Sequence, residues 1–301
     1  MRIPFDELGG TCVFTSEKDS HARSTYESNF SSVHELNSDI VALDSSGFGS
    51  VPDHDLMLAG FPCQPFSSAG LRGGFEDTRG TLFFYIMSIL IAKRPKVALL
   101  ENVRGLQSHD KGRTLRVIQD SLAQAGYVVH RKVLNARDYG LPQNRQRLFI
   151  VAIRQDILSA HDFSFPMPTH DRDQIRLGEI LEEDPESTLT ISDRLWQGHL
   201  LRRARNSAEG KGFGYQMFTP ESKYAATLSA RYFKDGSEIL IFQGGKNPRM
   251  LSVDEARKLQ GFPDWFSPSL SRPQAYKQFG NAVPVSVVRA ISKEIYQYVG
   301  Q

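Results

Sequence analysis

Asp55-Leu56-Met57-Leu58-Ala59-Gly60-Phe61-Pro62-Cys63-Gln64-Pro65-Phe66-Ser67 is the most informative run in this chain. Its first five residues are mostly apolar and are followed by Gly60, Pro62 and Pro65, which predicts a short buried strand that stops abruptly. A loop at the carboxyl end of such a strand is where open α/β sheets place chemistry. The two prolines fix φ on either side of Cys63, so the thiol would be held in one direction. A free cysteine by itself is commonly a small buried hydrophobe. The flanking prolines, the polar Gln64 and the Phe66-Ser67-Ser68 tail favour a nucleophile instead.

The chain has 301 residues, enough for two domains, and a composition ordinary for a globular protein. No apolar run is long enough to cross a bilayer, and no secretory signal opens the sequence. Two cysteines, Cys12 and Cys63, make no disulfide framework, so a reducing cytoplasm fits. No Cys/His grouping has zinc spacing, so no metal site is expected. A formal net charge of +2 neither demands nor excludes nucleic acid, and any basic surface must be local.

Around the central run, strands and helices alternate. Residues 3–8 predict a helix stopped by Gly9-Gly10, and Cys12–Thr15 a strand leading to Glu17. A carboxylate after an early strand suits ribose hydroxyls, although a lone Glu there is as readily a solvated loop residue. His21–Phe30 predicts a helix, and Asp39-Ile40 follows a polar stretch. Gly70–Asp77 is a glycine-rich, charged loop, able to close over a substrate or simply solvated. A helix from Arg79 to Ile91 precedes a second buried strand, Lys96–Leu100. Glu101-Asn102-Val103 then delivers a carboxylate to the edge that carries Cys63, or else caps the next helix. A helix over Leu115–Ala125 and a strand over Tyr127–Leu134 lead to Gln143-Asn144-Arg145-Gln146-Arg147. The strand Leu148–Ile153 follows, and the alternation puts Arg145 and Arg147 on one side. Two guanidiniums held together favour an anionic or carbonyl-rich partner; the alternative is two exposed arginines at an edge.

The β/α rhythm fades near Phe163, and prolines 166, 168 and 185 break the chain. Beyond them lie Arg202, Arg203, Arg205 and Lys211, then Arg231, Tyr232 and Lys234. Basic residues interleaved with Gly, Phe and Tyr fit DNA backbone and groove contact, although a basic helix face is also commonly just solvated. Ser252 and Glu255 make a capping box for a helix to Gln260. Gly280-Asn281 opens the approach to a last amphipathic helix ending near Tyr298. The expected architecture is α/β. Residues 1–165 with 271–301 would form a doubly wound, mostly parallel sheet domain, and residues 166–270 a smaller irregular domain.

With these motifs quoted, the chain resembles the bacterial C5-cytosine-specific DNA methyltransferases. The resemblance rests on Gly60-Phe61-Pro62-Cys63-Gln64, Glu101-Asn102-Val103, Gln143-x-Arg145-x-Arg147, Arg249 through Gly261-Phe262, and Gly280-Asn281, in the family's order. It implies a Rossmann-like methyltransferase fold with a target-recognition domain, S-adenosylmethionine as cofactor, and duplex DNA as substrate. By the same resemblance Cys63 attacks C6 of a flipped-out cytosine, Glu101 holds and protonates the base at N3, and Arg145 and Arg147 contact it. Glu17, Asp39, Ile40, Leu82, Asn281 and Val283 bind the cofactor, and Gln64 and Ser67 join the basic residues on DNA. Thiolate addition is what such a reaction requires, because cytosine C5 is too weak a nucleophile unaided. The base must leave the stack to be reached. The segments 212–215 and 227–241 resemble recognition regions of members that methylate sites beginning with two cytosines. A cognate restriction endonuclease is the implied partner.

One departure stands at the start. The family opens with a strand and a Phe-x-Gly-x-Gly turn, and this sequence begins at Met1 where that turn would end. The expectation is a polypeptide that binds S-adenosylmethionine poorly unless a complementing N-terminal peptide or subunit supplies the strand. A DNA-binding but catalytically incompetent subunit is the alternative to the full enzyme.

Overall fold

The apolar run becomes strand β1, Leu56–Gly60, which pairs in parallel with β2, Val97–Val103. The computed structural model describes residues 1–31, 34–43, 48–62, 81–158, 163–212, 214–268 and 271–300. Helix α3, Leu82–Lys93, precedes β2, as a parallel return demands a long crossover. Helix α4, Arg113–Gln124, then leads to β3, Tyr127–Asn135. The connection from β3 to β4, Gln146–Arg154, is a short 3-10 turn and loop, so these strands pair antiparallel. The sheet order is β1-β2-β4-β3, with β4 antiparallel to both neighbours. The sheet is therefore mixed rather than mostly parallel, because β3 and β4 lack a crossover helix between them.

The sheet is covered on both sides, which explains why β2 and β4 read as continuous apolar runs. Ala98, Leu100, Leu148, Ile150 and Ala152 pack with Phe83, Ile86 and Leu90 of α3 and Leu115, Ile118 and Leu122 of α4. Val97, Leu99, Phe149, Val151 and Ile153 pack instead with Val287, Val288, Ile291 and Ile295 of α8, Val285–Val299, and with Phe5 of α1, Ile3–Asp6. Odd and even positions thus face opposite layers, the period-two rule of a strand.

Helix α2, Ser20–Asn29, starts at Asp19, whose side chain accepts from the His21 and Ala22 N–H groups. Cys12–Thr15 is not a strand: that region pairs only through an isolated parallel bridge, Ser16 to Asn37. A strand needs a ladder partner, and residues 12–15 border a cleft instead of another strand.

The second half is built around α5, Asp193–Ala208, a two-residue parallel pair β5, Met217–Phe218, and β6, Leu240–Ile241, then α6, Val253–Leu259, and α7, Arg272–Asn281. Leu228, Tyr232, Ile239, Leu251, Leu259, Tyr276 and Phe279 share its core. The capping box is formed, with Ser252 Oγ accepting from Glu255 N–H and Glu255 from Ser252 N–H. Helix α7 is an element that the periodicity did not reveal; its signal was Ser271-Arg272-Pro273, a Pro in the first turn.

Candidate active site

Glu101 continues the Val97–Leu99 row, so it projects toward the α8 layer at the carboxyl end of β2. Because β4 runs antiparallel, Arg147 arrives at that same end, paired with Val103 in register. Its Nε lies 3.1 Å from Glu101 Oε1, and the two side chains are 15% and 13% exposed. Gly60 sits across from Glu101, and a Cβ built on it would stand 3.5 Å from Glu101 Oε2. The carboxylate therefore lies over the last residue of β1, within contact distance of the Gly60 position. Burial pushes the Glu101 carboxyl above its ordinary value, and the charges of Arg147 and Arg145 pull it back only in part. Among the described residues this ion pair is the one contact given for the carboxylate, and no hydrogen bond to it is present, which leaves lone pairs for a ligand.

Asn102, facing the other layer, joins this end of β2 to the loop after β1. Its Nδ2 donates to the Phe61 carbonyl at 2.8 Å, and its Oδ1 accepts from Val103 N–H. The chain just past β1, at Phe61, is thereby pinned beside the end of β2. Cys63, Gln64, Ser67 and the 70–77 loop lie outside the described residues.

Arg145 does share the side of Arg147, but its guanidinium is spent on protein. Nη1 donates to Leu228 O at 2.7 Å, and Nη2 to Gly280 O and Ala282 O at 2.8 and 2.7 Å. It is 1% exposed, and burial pushes it down to about 9, still protonated at neutral pH. Gln143, not singled out as a site residue from the sequence, is fully buried beside it. Its amide donates to Leu259 O and accepts from Leu228 N–H. The signal available was its place in the same five-residue motif, two positions before Arg145.

A cleft of about 1140 Å³ runs along the free side of β1, between Leu56–Phe61 and residues 11–18. Glu17, Asp39, Ile40 and Leu82 all line it. Glu17 Oε1 accepts from Asp19 N–H, and Asp39 pairs with Lys18 at 2.9 Å. Asn281, exposed at the end of α7, and Val283, packed beneath α8, do not border this cleft. An apolar wall with carboxylates at one end suits a nucleoside whose ribose hydroxyls need acceptors.

The basic residues divide. Arg205, Arg231 and Lys234 are exposed, and Lys211 is exposed but paired with Glu209. Arg203 lies over the Tyr215 ring and donates to its hydroxyl. Arg202 is used internally, donating to Gly214 O, His199 Nδ1 and Asp235. Tyr232 does not face DNA. It is fully buried, stacks edge-on against Tyr276, donates to Ile239 O and accepts from Leu251 N–H. Its neighbours Arg231 and Phe233 are the exposed positions of that short turn.

Comparison with known proteins accords with this geometry. A family model for C-5 cytosine-specific DNA methylases matches residues 1–297. The Type II methyltransferase M.NlaX of Neisseria lactamica is 53% identical over 97% of this chain and 90% of its own length. M.DsaV of Dactylococcopsis salina is 48% identical over 99% and 83%. Among solved structures, the S. pombe Dnmt2 methyltransferase superposes with a TM-score of 0.76 at 18% identity, covering 98% of this chain and 94% of that one; this likeness speaks for the fold. The fold is α/β, and the relatives at about half identity are methyltransferases. The chain belongs to the C-5 cytosine-specific DNA methylase family, in its restriction-modification branch.

Proposed function

We propose that this protein methylates C5 of a cytosine flipped out of a short duplex DNA site, with Cys63 as nucleophile and Glu101 as the acid. The observation that carries the reading is the half-satisfied Glu101–Arg147 pair at the carboxyl end of β2, tied through Asn102 to the turn that leads into Cys63. The Cys63 thiolate adds to C6 while Glu101 gives a proton to N3, which makes C5 enamine-like and nucleophilic. Burial raises the proton affinity of that carboxyl, the direction an acid in this role requires. Arg147 orients the Glu101 carboxyl and faces the base carbonyl. Once C5 is methylated, a water removes the C5 proton, the thiolate leaves, and N3 returns its proton to Glu101.

S-adenosylmethionine, when bound, supplies an electrophilic sulfonium methyl group. The cleft fits it: Glu17 offers a carboxylate to the ribose, and Asp39, Ile40 and Leu82 flank the adenine. Asn281 and Val283 complete the methionine side in this reading. Residues 1–165 with 271–301 form the catalytic part and residues 166–270 the recognition part. Duplex DNA lies between them against Gln64, Ser67, Arg203, Arg205, Lys211, Arg231 and Lys234. A site beginning with two cytosines and a cognate restriction endonuclease belong to the same reading.

The cleft also bears on the cofactor. Among the described residues β1 has one ladder partner, β2, and its other edge faces the cleft. An extended strand laid there would satisfy the open N–H and C=O groups of β1 and wall the cofactor site. We infer that a strand laid along this edge raises the rate of methyl transfer.

The test is transfer of labelled methyl to duplex DNA, beside a Cys63→Ala control, with and without an added N-terminal strand. Label that vanishes in the control supports the reading. A duplex carrying 5-fluorocytosine, whose C5 substituent cannot leave as a proton, would trap the Cys63–C6 adduct. Methylation that survives Cys63→Ala would overturn it, and full activity without any added strand would overturn the complementation.

A further inference from the structure

Arg145 sits two residues before Arg147, on the same face of the chain, yet it cannot take part in the same contact. Its guanidinium is enclosed and reaches three backbone carbonyls in two distant segments: Leu228, and the turn Gly280–Ala282. A Cβ placed on Gly280 would stand 2.3 Å from the Ser229 carbonyl group, so only glycine lets α7 lie against residues 229–230. The approach to Arg145 is stitched to the same stretch. Asn144 N–H donates to Ala225 O, Ala225 N–H to Pro142 O, Thr227 Oγ1 to Asn144 O, and Leu228 N–H to Gln143 Oε1. Three residues past Leu228 lies exposed Arg231, and two past Arg145 lies Arg147, which pairs with Glu101.

We propose that Arg145 is a positioning residue, not a contact to the base or to DNA: it fixes the 227–231 segment and the Gly280–Ala282 turn in register with Arg147. The inference rests on the proposed DNA methyltransferase reading. A guanidinium suits this task because its planar fork presents several donors in fixed directions, which a lysine ammonium cannot reproduce at three separated carbonyls. When DNA displaces the 227–231 segment, the movement is passed through Arg145 to the strand start that carries Arg147. Correct docking and correct placement of the catalytic pair are thereby one event.

The experiment begins with the unaltered protein. A plasmid methylated by it is mapped by bisulfite sequencing to define the site. A 30-base-pair duplex with that site, and the same duplex with one base pair changed, then serve as probes. If no methylation of the plasmid is found, the proposed activity fails, and the arginine-labelling arm still decides the role of Arg145. In that arm the protein is treated with phenylglyoxal, with and without duplex, and modified arginines are read by mass spectrometry. Arg145 is expected to stay unmodified in both states, whereas a DNA contact would label in the free protein and be protected by duplex. In the second arm Arg145→Lys is compared with the wild type. The expected result is a fall of about tenfold in the kcat/KM ratio between the two duplexes, with the salt dependence of binding unchanged, because no phosphate contact is lost. Equal losses on both duplexes, or a salt slope reduced by about one, would overturn the proposal. Should Arg145→Lys fail to fold, the labelling result stands as the deciding measurement.

Discussion

Among the described residues, the Arg249–Glu255 pair is buried and the Arg147–Glu101 pair is largely shielded, and the two are built to opposite standards. Glu255 is completely enclosed and accepts from both Nη1 and Nη2 of Arg249, and from the backbone N–H groups of Glu182 and Ser252. Every carboxylate direction is used, and the pair ties α6 to the segments before it. Glu101 meets Arg147 through one nitrogen at 3.1 Å, and no other donor is recorded among the described residues. Burial cost is shared by both pairs; satisfaction is not. A saturated buried pair specifies structure, whereas one left half-satisfied at the end of a strand keeps its lone pairs for something that arrives later.

The comparison can be broken at either pair. Glu255→Ala should have the largest effect on the fold. It strands a buried guanidinium and two backbone N–H groups, a loss of about 3–5 kcal/mol that urea unfolding would read. Glu101→Gln should leave a folded protein and cost about 10²–10⁴-fold in single-turnover methyl transfer, the range for losing a positioned acid. If Glu101→Gln instead melts the protein as severely as Glu255→Ala, the contrast between the pairs is wrong.

Smaller changes sharpen it. Asn102→Ala removes the tether on the Phe61 carbonyl, with an expected cost of about 1–3 kcal/mol by thermal melting and a slower rate of Cys63 adduct formation. Ser252→Ala removes a helix cap remote from Glu101, and should cost about 1 kcal/mol without changing the rate per folded molecule. The smallest effect is a pH signature. Because the Glu101 carboxyl is raised in the folded state, the folded protein holds that proton more tightly than the unfolded chain does. Its ionisation therefore destabilises the fold as pH rises from the unfolded value, about 4.3, through the raised folded value. The melting temperature of Glu101→Gln relative to wild type should climb across that window and level off above it. A difference that stays flat with pH would remove the unusual carboxyl from the account.

Much of the site was legible because its residues sit where strand periodicity and punctuation place them. Leu56–Gly60 and Val97–Val103 announce themselves as buried strands, and parallel pairing then brings Gly60 and Glu101 side by side. The alternation before Leu148 puts Arg145 and Arg147 on one face. What could not be read was the fate of each group after packing. Arg145 and Arg147 look equivalent in the sequence, yet one is sealed among carbonyls and the other meets Glu101. Tyr232 sits between the exposed residues Arg231 and Phe233, and only the tight turn after Arg231 rotates it into the core.

The sequence by itself determined the main strands and helices, the family, and the delivery of Glu101 and Arg147 to one end of a sheet. Those features depend on local period, glycine and proline, which act within a few residues. The tertiary structure alone decided that the sheet is mixed, that β1 has a cleft along the side away from β2 among the described residues, and which of several identical side chains are saturated. Saturation depends in part on hydrogen-bond partners 73 to 137 residues away, such as the Glu182 N–H on Glu255 and the carbonyls that enclose Arg145, and no local pattern encodes where those segments will come to rest.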